Sequence, residues 1–125
     1  MDLQAELSAI TKALSTVRIP AVLTEPMMHQ MIGDALKQAG IEAIHEAKLA
    51  PRCRVDFLVD TIGIEAKVGR QPKGKLLAQA EKYLALPSLS ALILVTSGGV
   101  NLPGSIHGKP LIVFGLNKLW GVSLP

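Results

Sequence analysis

The chain has 125 residues and a formal net charge of +3, with 49% apolar residues but only 3% aromatic ones; that suits one domain with an aliphatic core and disfavours an aromatic array for reading single-stranded nucleic acid. No run of about 18 apolar residues offers a membrane span, and the opening MDLQAELSAITKAL carries acids and no basic stretch, unlike a signal peptide. The lone Cys53 excludes an internal disulfide and suits a reducing, cytoplasmic setting, while the mild positive charge permits nucleic-acid binding without requiring it.

Leu3, Leu7, Ile10, Leu14 and Val17 recur at intervals of 4, 3, 4 and 3, the apolar seam of an amphipathic helix in the N-terminal segment 1–20. The seam can pack on the rest of its own chain or on a second copy. Pro20 ends it by disfavouring helix at Ile19. A second helix opens with Thr24 as N-cap and Pro26 in its first turn, turns Met28, Met31, Ile32, Ala35, Leu36 and Ala39 inward, and stops at Gly40. Met27 is read as core together with Met28 and Met31. Strands are expected near 41–48, 53–59 and 62–68, then a loop GRQPKG at 69–74 and a helix at about 75–86. ALILVTS, 91–97, is a continuous apolar run, which fits a strand buried on both faces. Residues 98–110 are rich in Gly and Pro and read as loop, and LIVFGL, 111–116, is a last strand. The order α-α-β-β-β-α-β-β predicts one α/β domain over 1–125, its mixed central sheet flanked by helices.

The most informative segment is RVDFLVDTIGIEAKVG, 54–69. Val55, Phe57 and Val59 alternate along one strand, and Ile62, Ile64, Ala66 and Val68 along the next. Joining the apolar faces pairs Val59 with Ile62, Phe57 with Ile64 and Val55 with Ala66; a one-residue slip would bury the acids. Asp56 then falls opposite Glu65, and Arg54 opposite Lys67. Asp60-Thr61 is not a favoured two-residue hairpin turn, so a wider loop of the same parity is allowed. Opposed residues have Cβ atoms about 5 Å apart, and two like charges 4 Å apart cost about 4 kcal/mol at an effective dielectric of about 20. A proton, a basic neighbour such as Lys67, or a hard divalent cation held by oxygen ligands would relieve them.

These residues resemble the PD-(D/E)XK nuclease superfamily, whose fold is the restriction-endonuclease-like one. RVDF supplies the first acid, Asp56, and IEAK the acid-x-lysine of Glu65 and Lys67. Glu25 in LTEPMMHQM matches a Glu that many members carry on the helix before the first strand. QAEKY matches their QxxxY with Gln79 and Tyr83, four apart on one helix face. The likeness covers about 21–97; Val55 stands where the family motif has Pro. It implies an αβββαβ catalytic core, with an extra N-terminal helix over 1–20 and a C-terminal loop and strand over 98–125 outside that core.

The resemblance also implies a mechanism, the hydrolysis of phosphodiesters with Mg2+, or Mn2+ in its place. Asp56 and Glu65 would bind the ion, helped by the Ala66 carbonyl and by Glu25. Lys67 would orient the attacking water and stabilise developing negative charge, and Gln79 would hold the water or a phosphate. The expected substrate is nucleic acid, DNA before RNA, with a junction- or structure-specific endonuclease as one form of the activity. A homodimer presenting two sites to two strands is expected of so short a chain, with no membrane partner. The alternative is a nuclease-fold subunit that binds DNA without cutting it.

Tyr83, Arg54, Arg70, Lys73 and Lys75 are the expected nucleic-acid contacts; the cationic stretch GRQPKGK, 69–75, suits backbone phosphates. His29, His45 and His107 lack paired metal-ligand spacing and read as structural or surface residues, although His29, four after Glu25, can turn toward the site. Glu46 reads as surface. Cys53 has no partner histidine in sequence for a nucleophilic role, and Ser97-Gly98-Gly99 follows a buried strand without a Walker pattern.

Overall fold

The structure, a computed structural model, describes residues 2–118; the end of the expected C-terminal segment, 119–125, lies outside the described residues. Helix α1, Leu3–Leu14, starts where the Asp2 carboxylate accepts the Ala5 N–H at 2.7 Å. Its seam of Leu7, Ile10 and Leu14, with Val17 beyond its end, is buried in a cluster that includes the next helix and the sheet, so the seam packs within its own chain. Arg18–Ile19 forms a two-residue strand, β1, that the sequence does not announce. Helix α2, Glu25–Gln38, begins as expected: Thr24 Oγ1 accepts the Met27 N–H at 3.3 Å, and Pro26 sits in the first turn. Met28, Ile32, Ala35 and Leu36 are buried. Met27 is not core but exposed, because it falls beside the inward stripe rather than on it.

The sheet begins at β2, Ile44–Ala50, three residues later than expected. The reason is local: Gly40 takes φ +73 and the Ile41 N–H still bonds the Leu36 carbonyl at 2.9 Å, so the chain is tied to the helix end through residue 41. There follow β3, Cys53–Val59; β4, Ile62–Lys67; helix α3, Lys73–Leu84; β5, Ala91–Thr96; β6, Ser105–Ile106; β7, Lys109–Gly115; and β8, Asn117–Lys118. Six strands form one mixed sheet in the order β2-β3-β4-β5-β7-β6. β2, β3 and β4 run antiparallel, while β4, β5 and β7 are parallel. Helix α3 is the crossover that a parallel β4–β5 pair requires. Short β6 lies inside the segment expected to be loop, and β1 pairs with β8 in a separate two-stranded ribbon.

Two apolar clusters flank the sheet. α1 and α2 cover one face, with Phe57, Ile62, Ile64 and Ile93 beneath them. α3 covers the other, over Val55, Leu92 and Leu94. β5 is buried at all six positions, as its unbroken apolar run predicts.

The β3–β4 register is Val59 with Ile62, Leu58 with Gly63 and Phe57 with Ile64, as the alternation predicts. The turn is nonetheless a tight two-residue one, made possible by Asp60 at φ +55, a left-handed conformation that aspartate tolerates. Val55 departs from the expectation. It does not share a face with Phe57 and Val59 but lies under α3, with its Cγ2 close enough to Gly63 to stand 3.2 Å from any Cβ placed there. The two strands change face together: His45 pairs with Phe57 and Ala47 with Val55, and Glu46 between them adopts φ +52. Asp56 occupies the corresponding step of β3.

Candidate functional site

At that step β3 and β4 exchange side-chain bonds in place of further residue-to-residue pairing. The Asp56 N–H donates to Glu65 Oε1 at 2.9 Å, and the Ala66 N–H donates to Asp56 Oδ2 at 2.8 Å. The acids therefore meet, but with Glu65 on the Asp56 N–H and Asp56 on the Ala66 N–H rather than side by side on one face.

Glu65 is 7% exposed. Its second oxygen, Oε2, accepts from Gln79 Nε2 at 3.2 Å and lies 3.3 Å from the Tyr83 hydroxyl and 3.7 Å from Lys67 Nζ. Burial, and then the charge of Asp56, push the Glu65 carboxyl up to about 7, against the Asp56 N–H, Lys67 and the Tyr83 hydroxyl, which hold it down. The Tyr83 hydroxyl has one proton and two acceptors beside it, because it also reaches the Arg54 carbonyl. When that proton goes to Arg54, a protonated Glu65 can donate to the phenol oxygen, so the neutral form of Glu65 has a partner. Burial and Glu65 together push the Tyr83 phenol up, so it stays a neutral hydroxyl.

On the other side of Asp56 lies a second group. His29 Nε2 is 3.2 Å from Asp56 Oδ2 and 3.7 Å from Glu25 Oε1. One ligand atom from each of Glu25, His29 and Asp56 falls within 4.8 Å of the others. Helix periodicity brings Glu25 and His29 together at i and i+4 on the first turns of α2. His29 Nδ1 contacts His45 Nε2 at 3.3 Å, and His45 stacks on Phe57 with ring centroids 4.8 Å apart. That contact uses one nitrogen of His29. The other, Nε2, is buried and has no hydrogen-bond partner. Nε2 therefore faces two carboxylates while making no bond of its own, and a divalent cation is one group that would satisfy all three. The donor set fits a cation: two carboxylates suit a hard ion, and the imidazole shifts preference from magnesium toward manganese or zinc.

The sequence-expected residues divide as follows. Asp56, Glu65, Lys67, Gln79 and Tyr83 converge, and Glu25 joins them through Asp56. Of the expected metal set of Asp56, Glu65, Ala66 and Glu25, Asp56 and Glu25 fall in one cluster with His29. Glu65 is turned onto Asp56, Gln79 and Tyr83 and is absent from the ligand cluster, and Ala66 contributes its N–H to Asp56. His29, which the sequence reading set aside, joins Glu25 and Asp56 in that cluster. Tyr83 is buried and its hydroxyl is used inside, on the Arg54 carbonyl. Arg54, Arg70, Lys73 and Lys75 are exposed. Ser97 Oγ accepts the Gly69 N–H at 2.7 Å, so it ties the loop after β4 to the end of β5 rather than forming a free phosphate loop. The sequence undervalued His29 and His45. The available signal was the Glu25–His29 spacing; His45 is 16 residues away and meets His29 only through packing of β2 on α2.

No family model, no curated protein and no solved structure matches this chain. No helix among the described residues is long and apolar enough to cross a membrane.

Proposed function

We propose that this protein is a metal-dependent nuclease that hydrolyses phosphodiester bonds, DNA before RNA, on a restriction-endonuclease-like fold. The observation that carries the reading is the interlocked Asp56–Glu65 pair with Lys67 beside it, backed by Gln79 and Tyr83 from the crossover helix. The element order supports it: a helix carrying Glu25, three antiparallel strands, a crossover helix and a parallel strand.

Glu25, His29 and Asp56 would hold the cation. When bound, a divalent cation polarises a phosphate and lowers the pKa of a coordinated water. The chain's own groups do the rest. The Ala66 N–H holds the Asp56 carboxylate in place, and Gln79 and Tyr83 hold Glu65. Lys67, 20% exposed, presents its ammonium from the end of β4, where it can orient water and stabilise negative charge developing on a phosphate. Glu65, poised near 7, can take up and return a proton at neutral pH. In this reading Glu65 serves as a proton-holding and positioning group rather than a direct ligand.

The test is a cleavage assay with Mg2+ or Mn2+ on linear, nicked, branched and single-stranded DNA, with Lys67→Ala as the control. Metal-dependent cleavage by the parent and none by a folded Lys67→Ala protein is expected. A fully active Lys67→Ala protein would sink the assignment.

A further inference from the structure

Two cavities of opposite character reach the site, one through Glu25 and His29 and the other through Lys67 and Gln79. On the α2 side lies an open groove of about 1350 Å³ between α2 and the β2–β3 edge. Its charged lining is Glu25, Asp34, Glu42, Glu46 and Asp60 against the single Lys37. On the α3 side lies a smaller trough of about 290 Å³ lined by Lys67, Gln71, Lys75, Gln79 and Lys82, with no carboxylate in its wall. Lys75, Gln79 and Lys82 fall at i, i+4 and i+7 on α3, so they form one helix face. Among the described residues neither Lys75 nor Lys82 ion-pairs with a carboxylate.

The trough is continuous with the site already described. Lys67 and Gln79 line it, and both touch Glu65 Oε2. It also opens at the carboxyl end of β4, one of the parallel strands, where α/β sheets commonly receive ligands. Thr96 pairs with Lys67 there; it is 3% exposed, and its hydroxyl has no protein partner.

We infer that the trough along α3, and not the larger acidic groove, carries the phosphate chain of the substrate, with Lys67, Lys75 and Lys82 as successive phosphate contacts and Gln71 and Gln79 as neutral donors. The inference rests on the nuclease reading above. A polyanion gains from neutralisation by lysines, of which Lys75 and Lys82 have no carboxylate partner among the described residues, and it is repelled by a groove whose acids outnumber its bases. Size does not decide between the cavities; charge does. The inference also extends the expected contacts beyond Lys75 to Lys82 and Gln71.

The test is equilibrium binding of a labelled single-stranded DNA oligonucleotide, without divalent metal, across a range of salt. The proteins are the parent, Lys75→Glu/Lys82→Glu, the milder Lys75→Gln/Lys82→Gln, and a groove variant, Glu42→Gln/Asp60→Asn. The Glu variant is expected to lose at least tenfold in affinity at low salt. Its slope of log affinity against log salt should become shallower by about 1.4, two phosphate contacts at roughly 0.7 each for a single strand. The Gln variant should move the same way by less, and the groove variant should bind no more weakly than the parent. Parent-like affinity and slope in both lysine variants, a parent that does not bind, or a larger loss in the groove variant would overturn the inference. Cleavage in Mg2+ or Mn2+ separates this from the nuclease reading. Binding lost in the lysine variants beside a parent that never cleaves keeps the trough and removes the nuclease. A cleaving parent matched by a Lys75→Glu/Lys82→Glu protein that binds and cleaves equally well does the reverse.

Discussion

The α2 side and the α3 side of Glu65 are built from opposite chemistry on the same sheet. α2 opens with Thr24 as a bonded side-chain cap and Glu25 in its first turn, which suits the positive end of a helix dipole. α3 opens at Pro72 with no side-chain cap, no acid in its first turn, and Lys73 and Lys75 there instead. The first arrangement gathers negative charge around His29 and Asp56; the second gathers positive charge beside Lys67. Glu65 touches both groups, one oxygen on the Asp56 N–H and the other facing Gln79 and Lys67.

The sharpest test is Asp56→Asn, which removes a carboxylate from beside His29 and one negative charge from beside Glu65. Cleavage should fall by at least about 10²–10³, the scale on which loss of one preorganised charge-stabilising group is felt, with an unchanged thermal melt. A loss of activity that merely tracks loss of fold would point to a structural role for the pair.

Glu65 should be visible in the pH dependence of stability. Glu65 has its carboxyl raised to about 7 in the folded chain from an ordinary value of 4.5. Over that interval the folded state binds more protons than the unfolded state, so stability falls as pH rises from about 4.5 to about 7. The expected loss is on the order of 3 kcal/mol. Denaturant melts in EDTA at pH 5 and pH 8 measure it. Glu65→Gln should flatten the profile and be the more stable protein at pH 8; an equal pH slope in both would show that Glu65 is not the titrating group.

On the cation side, His45→Ala should weaken Mn2+ binding by about 10- to 100-fold, the usual consequence of losing a partner that orients a metal-binding histidine. DNA affinity measured without metal should not change. Loss of both together would show that the two sides are not separate. The smallest effect belongs to Tyr83→Phe. It removes the hydroxyl that reaches the Arg54 carbonyl and should cost about 1–2 kcal/mol in a denaturant melt. A weakened DNA affinity at unchanged stability would instead return Tyr83 to the binding surface.

Much of this site was legible in the sequence because it rests on local periodicity. Alternation in 54–68 is enough to bring Asp56 to Glu65, and helical spacing puts Glu25 beside His29 and Gln79 beside Tyr83. The change of face at Asp56 was not legible. It depends on Glu46 adopting φ +52, a conformation for which glutamate has no preference, so nothing in HEAK announces it. The same turn aims Asp56 toward His29 on α2, while Glu65 stays beside Gln79 and Tyr83 of α3. The His29–His45 contact depends on how β2 packs on α2, which no spacing within either element encodes. The burial of Tyr83 escaped notice because its match was to a motif and not to a face; Ala80, Tyr83 and Leu84 together mark the inner stripe of α3.

The claim that Glu25, His29 and Asp56 together hold a divalent cation can be measured by calorimetric titration of Mn2+ into the parent, Asp56→Asn and His29→Ala proteins at pH 7.5. The arrangement predicts one site per chain in the parent, weakened at least tenfold in each variant while the circular dichroism spectrum stays the same. Equal binding by all three proteins, or no binding by the parent at millimolar Mn2+, would contradict it.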